Sequence, residues 1–324
     1  MISINRTNIR IWSMISSRGT FGITLLDLAK EDDNLLVLSA DLGNSSGLDR
    51  FKAQYPDKFI NVGIAEQNMI GIAAGLVNEG MNVFCTTFAP FATMRACEQV
   101  RNHMGYMGLN VKLVGLASGF GTGILGNSHY GLEDVAIMRS IPNMTIISPA
   151  DSTETAKATA AIMNYDAPVY LRLTGTANNP IVYKEDYDFQ VGKGITLKAG
   201  TDLTIIAAGT MVYNSLQASK ILEEQGISAS IINMHTIKPL DTETIDDAIK
   251  SSKMIVSVEE HNKTGGLGGV IAEYLSSLNK GPLLLRLGID DQFRHAGDYN
   301  YMLSQNELLP EQIAKNIEEK YCSI

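Results

Sequence analysis

Cysteine is scarce. The chain of 324 residues holds three, at 85, 97 and 322. Their spacing forms neither a Cys-x-x-Cys pair nor a zinc pattern, which argues against a thiolate metal site. So few thiols fit a reducing, cytoplasmic setting. The five histidines, at 103, 129, 235, 261 and 295, are too scattered to predict a metal site by spacing. Long apolar runs are also missing: none approaches the ~20 residues that span a bilayer. The opening MISINRTNIRIWSMISSRGT has no sustained apolar core and no small-residue cleavage site, so no signal peptide is expected. Positive charge is in deficit, with 26 Lys and Arg against 35 Asp and Glu, for a net charge of −9. That balance argues against nucleic acid or an anionic membrane as the main partner. A small anionic substrate needs only one local basic pocket. The P-loop pattern GxxxxGK[ST] and the GxSxG elbow of hydrolases are both absent.

What remains is a globular composition, 45% hydrophobic and 19% charged, of a length comfortable for two domains. Short apolar runs at 35–40, 59–63, 82–88, 111–117, 144–149 and 168–173 read as buried strands. Helical stretches fall between them near 20–31, 66–79, 91–106, 133–140 and 151–164. In the second of these, Met69, Ile70, Ala73, Ala74 and Val77 recur on one face. This alternation predicts an α/β fold with a mainly parallel sheet covered on both faces. The polar stretch 174–194 reads as a linker. A second alternation follows, with strands at 203–209, 228–234, 254–261 and 283–289. Helices are predicted to about 225, near 241–250 and 269–278, and at about 308–320. Two α/β domains are therefore expected, 1–185 and the smaller 186–324.

Chemistry-bearing residues cluster at the predicted strand ends. Glu66, in GIAEQNM (63–69), stands where a strand hands over to a helix; an acid there is also simply favoured by the positive end of the helix. Phe88 and Phe91 lie three apart just after the next strand, at the edge where open α/β sheets place ligands, and their faces could stack a flat heterocycle or serve as core. The glycines at 121, 123 and 126 spell GxGxxG, but the loop runs on through Asn127, Ser128, His129 and Tyr130 before a helix can start. The pattern reads better as a loop bringing His129 to a ligand than as a dinucleotide fingerprint. Asp41 follows the first strand in SADLGNSSG. Arg18 precedes the first predicted helix, where it could face a phosphate or water.

In this order, these residues resemble the C-terminal half of transketolase. GIAEQNM resembles the family's catalytic-glutamate motif, FAPF its aromatic pair against the thiamine pyrimidine, and GNSHYGLED the loop with its donor-binding histidine. SADLGNSS and SSRGT resemble its strand-end Asp and preceding Ser-Arg. EEHNKTGGLGG and DDQFRHAGDY…ELLPEQI resemble the C-terminal domain shared with 1-deoxyxylulose-5-phosphate synthase and the β subunits of 2-oxoacid dehydrogenases. The resemblance implies a thiamine-diphosphate-binding, pyrimidine-type domain followed by a transketolase C-terminal domain. The family holds the diphosphate and Mg²⁺ at a GDG…N motif on a separate N-terminal domain, and no such motif stands in this chain. The implied protein is therefore the second chain of a split transketolase. Its partner would be an N-terminal subunit that carries the diphosphate-binding domain and holds the metal, in an α₂β₂ assembly.

The resemblance also assigns roles. Glu66 would hydrogen-bond the ring nitrogen of the aminopyrimidine and favour its imino tautomer, which takes the C2 proton. Burial would raise the carboxyl pKa in the direction this needs. Phe88 and Phe91 would fix the pyrimidine plane, with Ile64 and Met94 nearby and Asp41 supporting the cofactor. His129 would bind the donor hydroxyl, and Arg18 and Ser45 the acceptor phosphate. Other positions depart from the pattern. Ala117 stands for a phosphate-facing histidine, Thr174 or Gly175 for an arginine, Leu125 for an acid and Met94 for an aromatic. Arg172 is close to the missing arginine but not equivalent to it. Such losses imply a non-standard acceptor, a modified or non-phosphorylated sugar aldehyde. Rival readings are a synthase-like thiamine enzyme, toward which the run GLDRFKAQYPDKFINVGIAEQ leans, a dehydrogenase-like one, and a non-catalytic regulatory paralogue. Glu259, Glu260 and His261 are expected to shape a strand-to-helix turn and subunit contacts.

Overall fold

Residues 3–42, 46–278 and 281–324 are described by a computed structural model. Asn5 caps a long helix, α1 (Arg6–Leu28), which breaks at Ser16, where φ is 72°. Next come β1 (Leu35–Ser39), α2 (Asp49–Gln54), β2 (Phe59–Asn61), α3 (Glu66–Asn78) and β3 (Asn82–Phe88). The helical run after β3 is unusual: π-helical over Phe91–Arg95, one α-turn, α4 (Cys97–Gln99), and π-helical again over Val100–Tyr106. Then follow β4 (Lys112–Ser118), α5 (Asp134–Ser140), β5 (Thr145–Ile147), α6 (Ser152–Met163) and β6 (Val169–Thr174). No strand or helix interrupts 175–194. The remainder is β7 (Ile195–Lys198), β8 (Leu203–Ala207), α7 (Met211–Glu224), β9 (Ala229–Asn233), β10 (Thr236–Lys238), α8 (Thr242–Ser251), β11 (Met254–Asn262), α9 (Leu267–Ser276), β12 (Leu283–Ile289), α10 (Tyr299–Gln305) and α11 (Pro310–Tyr321).

Side chains alternate across each central strand, and both faces are apolar. Val37, Phe84 and Val114 face one side, with Phe21 and Leu25 of α1 and Ala158 and Ile162 of α6. Leu38, Val83, Cys85 and Leu113 face the other, with Met69, Ile70 and Ala73 of α3 and Met138 of α5. Strands buried on both faces require helices on both sides, hence the parallel sheet. Each fully buried Leu, Ile, Met or Phe contributes roughly 1.5–3 kcal/mol.

Two sheets result, seven strands in the order β10-β5-β6-β4-β3-β1-β2 and five in the order β12-β11-β8-β9-β7. All pairings are parallel except those of β10 with β5 and of β7 with β9. The short β10 comes from the second half of the chain and completes the first sheet, and one apolar cluster runs on to Ile206, Ile232 and Ile255 of the second. Among the described residues, no helix is long and apolar enough to cross a membrane.

The expected helix at 20–31 is only the later part of α1. Arg18 therefore lies inside α1, two residues past the break, rather than ahead of it.

Candidate active site at the carboxyl edge of the first sheet

Four neighbouring strands, β4, β3, β1 and β2, point their carboxyl ends the same way, and each feeds one of the predicted residues toward that edge. After β2 the chain turns at Gly63, whose φ of +75° suits glycine, and α3 begins at Glu66. The Glu66 side chain is 3% exposed. Ile64, on the same turn, is 77% exposed. At the end of β1, Asp41 adopts φ +56° and is tied to the end of β2. The Asp41 amide donates to Asn61 Oδ1 at 3.1 Å, and Asn61 Nδ2 donates to Asp41 Oδ1 at 3.0 Å. Asn61 Oδ1 also accepts from the Gly63 amide at 3.0 Å, so one side chain sets both turns.

Phe88 ends β3, and Phe91 opens the π-helical turn. Their ring centroids are 6.2 Å apart and edge-on. His129 joins them, 5.4 Å from Phe91 and 6.1 Å from Phe88. It rides on the loop after β4, whose glycines lead into no more than a 3-10 turn, Gly123–Leu125, before α5 starts at Asp134. Reciprocal backbone bonds between Gly119 and Gly131 close the loop at its base, so it is not a dinucleotide turn. Ser128 Oγ lies 3.0 Å from His129 Nδ1.

Arg95 is a member of the site that the sequence does not announce. Its Nη1 donates to Glu66 Oε1 at 2.8 Å, and its guanidinium lies 4.0 Å from the Phe91 ring centre. The widened π turn carries Arg95 over Phe91, four residues earlier. Among the described residues, only Arg95 donates to Glu66, which leaves Oε2 available. A buried carboxylate with one oxygen open, linked through Arg95 to an aromatic pair that a histidine joins, fits a flat, nitrogen-bearing heterocycle. Met94 is half-exposed at the same turn. Arg18 is half-buried, and burial lowers its pKa from the ordinary arginine value. Ser45 lies outside the described residues.

The departures from the pattern also have physical settings. Arg172 is committed elsewhere, buried in an ion pair with Asp134 at 2.8 Å, so it is no phosphate ligand. Thr174 is buried, Ala117 is buried at φ +50°, and Leu125 is exposed on the His129 loop. Glu259 does shape the turn into α9, accepting the Leu267 and Gly268 amides at 2.6 and 2.8 Å. Glu260 instead reaches into the first half of the chain.

Fold and site together define a two-domain α/β protein with a carboxylate, an aromatic pair and a histidine converging at the strand ends. The family profile described as "Transketolase, pyrimidine binding domain" matches residues 13–179, and "Transketolase, C-terminal domain" matches 192–305. A subunit of the apulose-4-phosphate transketolase of Phocaeicola vulgatus is 40% identical, over 94% of this chain and 96% of that one. A 6-deoxy-6-sulfo-D-fructose transketolase subunit of a Clostridium species is 39% identical, over 93% of each. A solved structure titled "Split gene transketolase, inactive beta4 tetramer" superposes with a TM-score of 0.85 at 36% identity, over 94% of this chain and 97% of that one. The chain belongs to the transketolase family.

Proposed function

We propose that this chain is one subunit of a two-chain, thiamine-diphosphate-dependent transketolase that moves a two-carbon ketol unit from a ketose to an aldose. The observation that carries this reading is the convergence of Glu66, Phe88, Phe91 and His129 at adjoining strand ends. Thiamine diphosphate, when bound, supplies the electron sink for the carbanion that ketose cleavage leaves. Glu66 would hydrogen-bond the pyrimidine ring nitrogen through its open oxygen, while Arg95 holds the other. Phe88 and Phe91 orient the ring, with Ile64 and Met94 beside it, and Asp41 shapes the adjoining turn. His129 hydrogen-bonds the donor hydroxyl next to the carbonyl. Arg18 and Ser45 meet the acceptor.

In this proposal the pyrimidine-binding domain is 1–185 and the C-terminal domain 186–324. The diphosphate and its Mg²⁺ are held by a companion subunit, in an α₂β₂ cytoplasmic enzyme. Relatives named as transketolase subunits, matched over 96% and 93% of their own length, support that division. The acceptor is non-standard. The lost polar positions support this, as do relatives named for apulose-4-phosphate and for a sulfo-sugar.

The test is reconstitution. The chain is purified alone and with the product of the neighbouring gene, then titrated with thiamine diphosphate and Mg²⁺ while aldehyde release from a ketose is followed. Activity only on mixing is expected. Tight cofactor binding or turnover by the lone chain would overturn the division of labour.

A further inference from the structure

A buried polar network lies where β11 meets the first sheet, at the base of the His129 loop. Glu260 is its centre, 2% exposed. Its Oε1 accepts the Phe120 amide at 2.7 Å. Its Oε2 accepts Thr210 Oγ1 at 2.7 Å and the Tyr299 hydroxyl at 2.6 Å. A single Arg172 nitrogen donates at 2.9 Å both to the Glu260 carbonyl and to the Gly131 carbonyl. Both ends of the loop are thereby gripped, Phe120 by the Glu260 carboxylate and Gly131 through Arg172. The Gly119–Gly131 bridge, at 2.8 and 3.1 Å, closes the loop between these grips. A β-carbon at Gly119 would lie 2.1 Å from Glu260 Oε1, so the carboxylate packs directly on the backbone there.

The grip is transmitted to His129 over a short path. The Phe120 ring meets Tyr130 edge-on at 5.1 Å, and the Tyr130 hydroxyl donates to the Gly123 carbonyl at 2.7 Å. The His129 and Tyr130 amides both donate to the Gly126 carbonyl, at 2.9 and 3.1 Å. His129 is thus fixed next to a residue locked to both loop ends. Taking a carboxylate out of water is costly unless its donors are aimed. Here three donors from three segments are aimed, and what they hold still is a loop otherwise rich in glycine.

We propose that Glu260 is a positioning residue for His129: the C-terminal domain sets the donor-binding histidine through this carboxylate. The functional consequence rests on the transketolase reading of His129; the structural one does not.

The test uses Glu260→Gln, which keeps the shape and one acceptor. In the reconstituted pair, kcat/KM for the ketose donor should fall at least tenfold, while kcat/KM for the acceptor stays within twofold. A purely structural role would lower both half-reactions together. In a His129→Ala background the same substitution should cost less than twofold, because its effect passes through His129. Equal losses in both backgrounds would overturn the proposal. Should Glu260→Gln fail to fold, Tyr299→Phe removes one donor from Oε2 and should give the same pattern at two- to fivefold. An unchanged donor kcat/KM in a folded Tyr299→Phe protein would then refute it. A readout free of activity is the His129 imidazole NMR signal of the full chain, assigned by its loss in His129→Ala. It should shift in either variant, and an unmoved signal would also refute the proposal. A shifted signal in the variants, with no ketol transfer by the wild-type pair, would instead refute the transketolase reading and leave the positioning intact.

Discussion

Arg172→Leu should be among the most damaging single changes outside the active site. The guanidinium is 4% exposed and its partner Asp134 is fully buried. Nε donates to Asp134 Oδ2 at 2.8 Å, Nη1 to Thr174 Oγ1 at 3.1 Å, and Nη2 to the carbonyls of Gly131 and Glu260 at 2.9 Å each. Burial acts to lower the arginine pKa, but the charge and hydrogen bond of Asp134, with the Glu260 carboxylate beyond, outweigh it, and the value is raised. Leucine would leave Asp134 as a buried carboxylate whose hydrogen bonds, among the described residues, reduce to that of the Tyr170 hydroxyl at 2.7 Å, with His261 Nε2 at 3.7 Å, and would strip two carbonyls of a donor. Breaking a buried pair by deleting one member costs about 3–5 kcal/mol. At roughly 2 °C per kcal/mol, Tm should fall by about 6–10 °C. Urea and thermal unfolding, followed by circular dichroism and by the single tryptophan, Trp12, would measure it. Adding Asp134→Leu should recover part of the loss, since the uncompensated charge disappears with it. A loss below about 1 kcal/mol for Arg172→Leu, the range of surface substitutions, would refute this account of the interface.

Glu66→Gln should separate catalysis from folding. Glutamine still accepts from Arg95, so stability should change by less than about 1 kcal/mol, while kcat of the reconstituted pair falls by roughly 10²–10⁴; equal activity would remove Glu66 from the chemistry. His235 is buried, stacked on Phe189 at 4.4 Å, and burial lowers its pKa to about 4 from an ordinary 6.5. The unfolded chain therefore holds a proton that the folded chain lacks between these values, and stability is lost as pH falls through that window. His235→Leu should weaken that acid dependence by roughly 3 kcal/mol, read as the difference in urea-unfolding free energy between pH 7 and pH 4; an unaltered pH slope would show that His235 contributes nothing to it. In an acceptor screen, ordinary pentose phosphates should not be the best substrates, and pyruvate should not serve as donor; turnover of pyruvate would favour the synthase-like alternative.

Which features could be read from the sequence follows from the range of the forces that set them. The central strands were legible because they are apolar on both faces over five or more residues, and the helix from Glu66 because Met69, Ile70, Ala73 and Ala74 share a buried face. β7 and β10 were not: both pair antiparallel, outside the alternation of strand and helix, and β10 joins the sheet built by the other half of the chain. The first half of α1 did carry a signal, Asn5 as a cap and Ile9 and Trp12 three apart, but the break at Ser16 interrupts the period. Arg95 was hidden by separation: its partner Glu66 lies 29 residues earlier, and no spacing rule pairs the two. Glu260 is the instructive miss. From Met254 to His261 every residue of β11 is buried, so the run Glu259, Glu260, His261 places three polar groups in a strand with no wet face. A carboxylate there must find donors outside its own strand. That requirement was already present in the letters VEEH. The partners that satisfy it, Phe120 to one side and Thr210 and Tyr299 to the other, are separated from it by up to 140 residues and come together only in the folded chain.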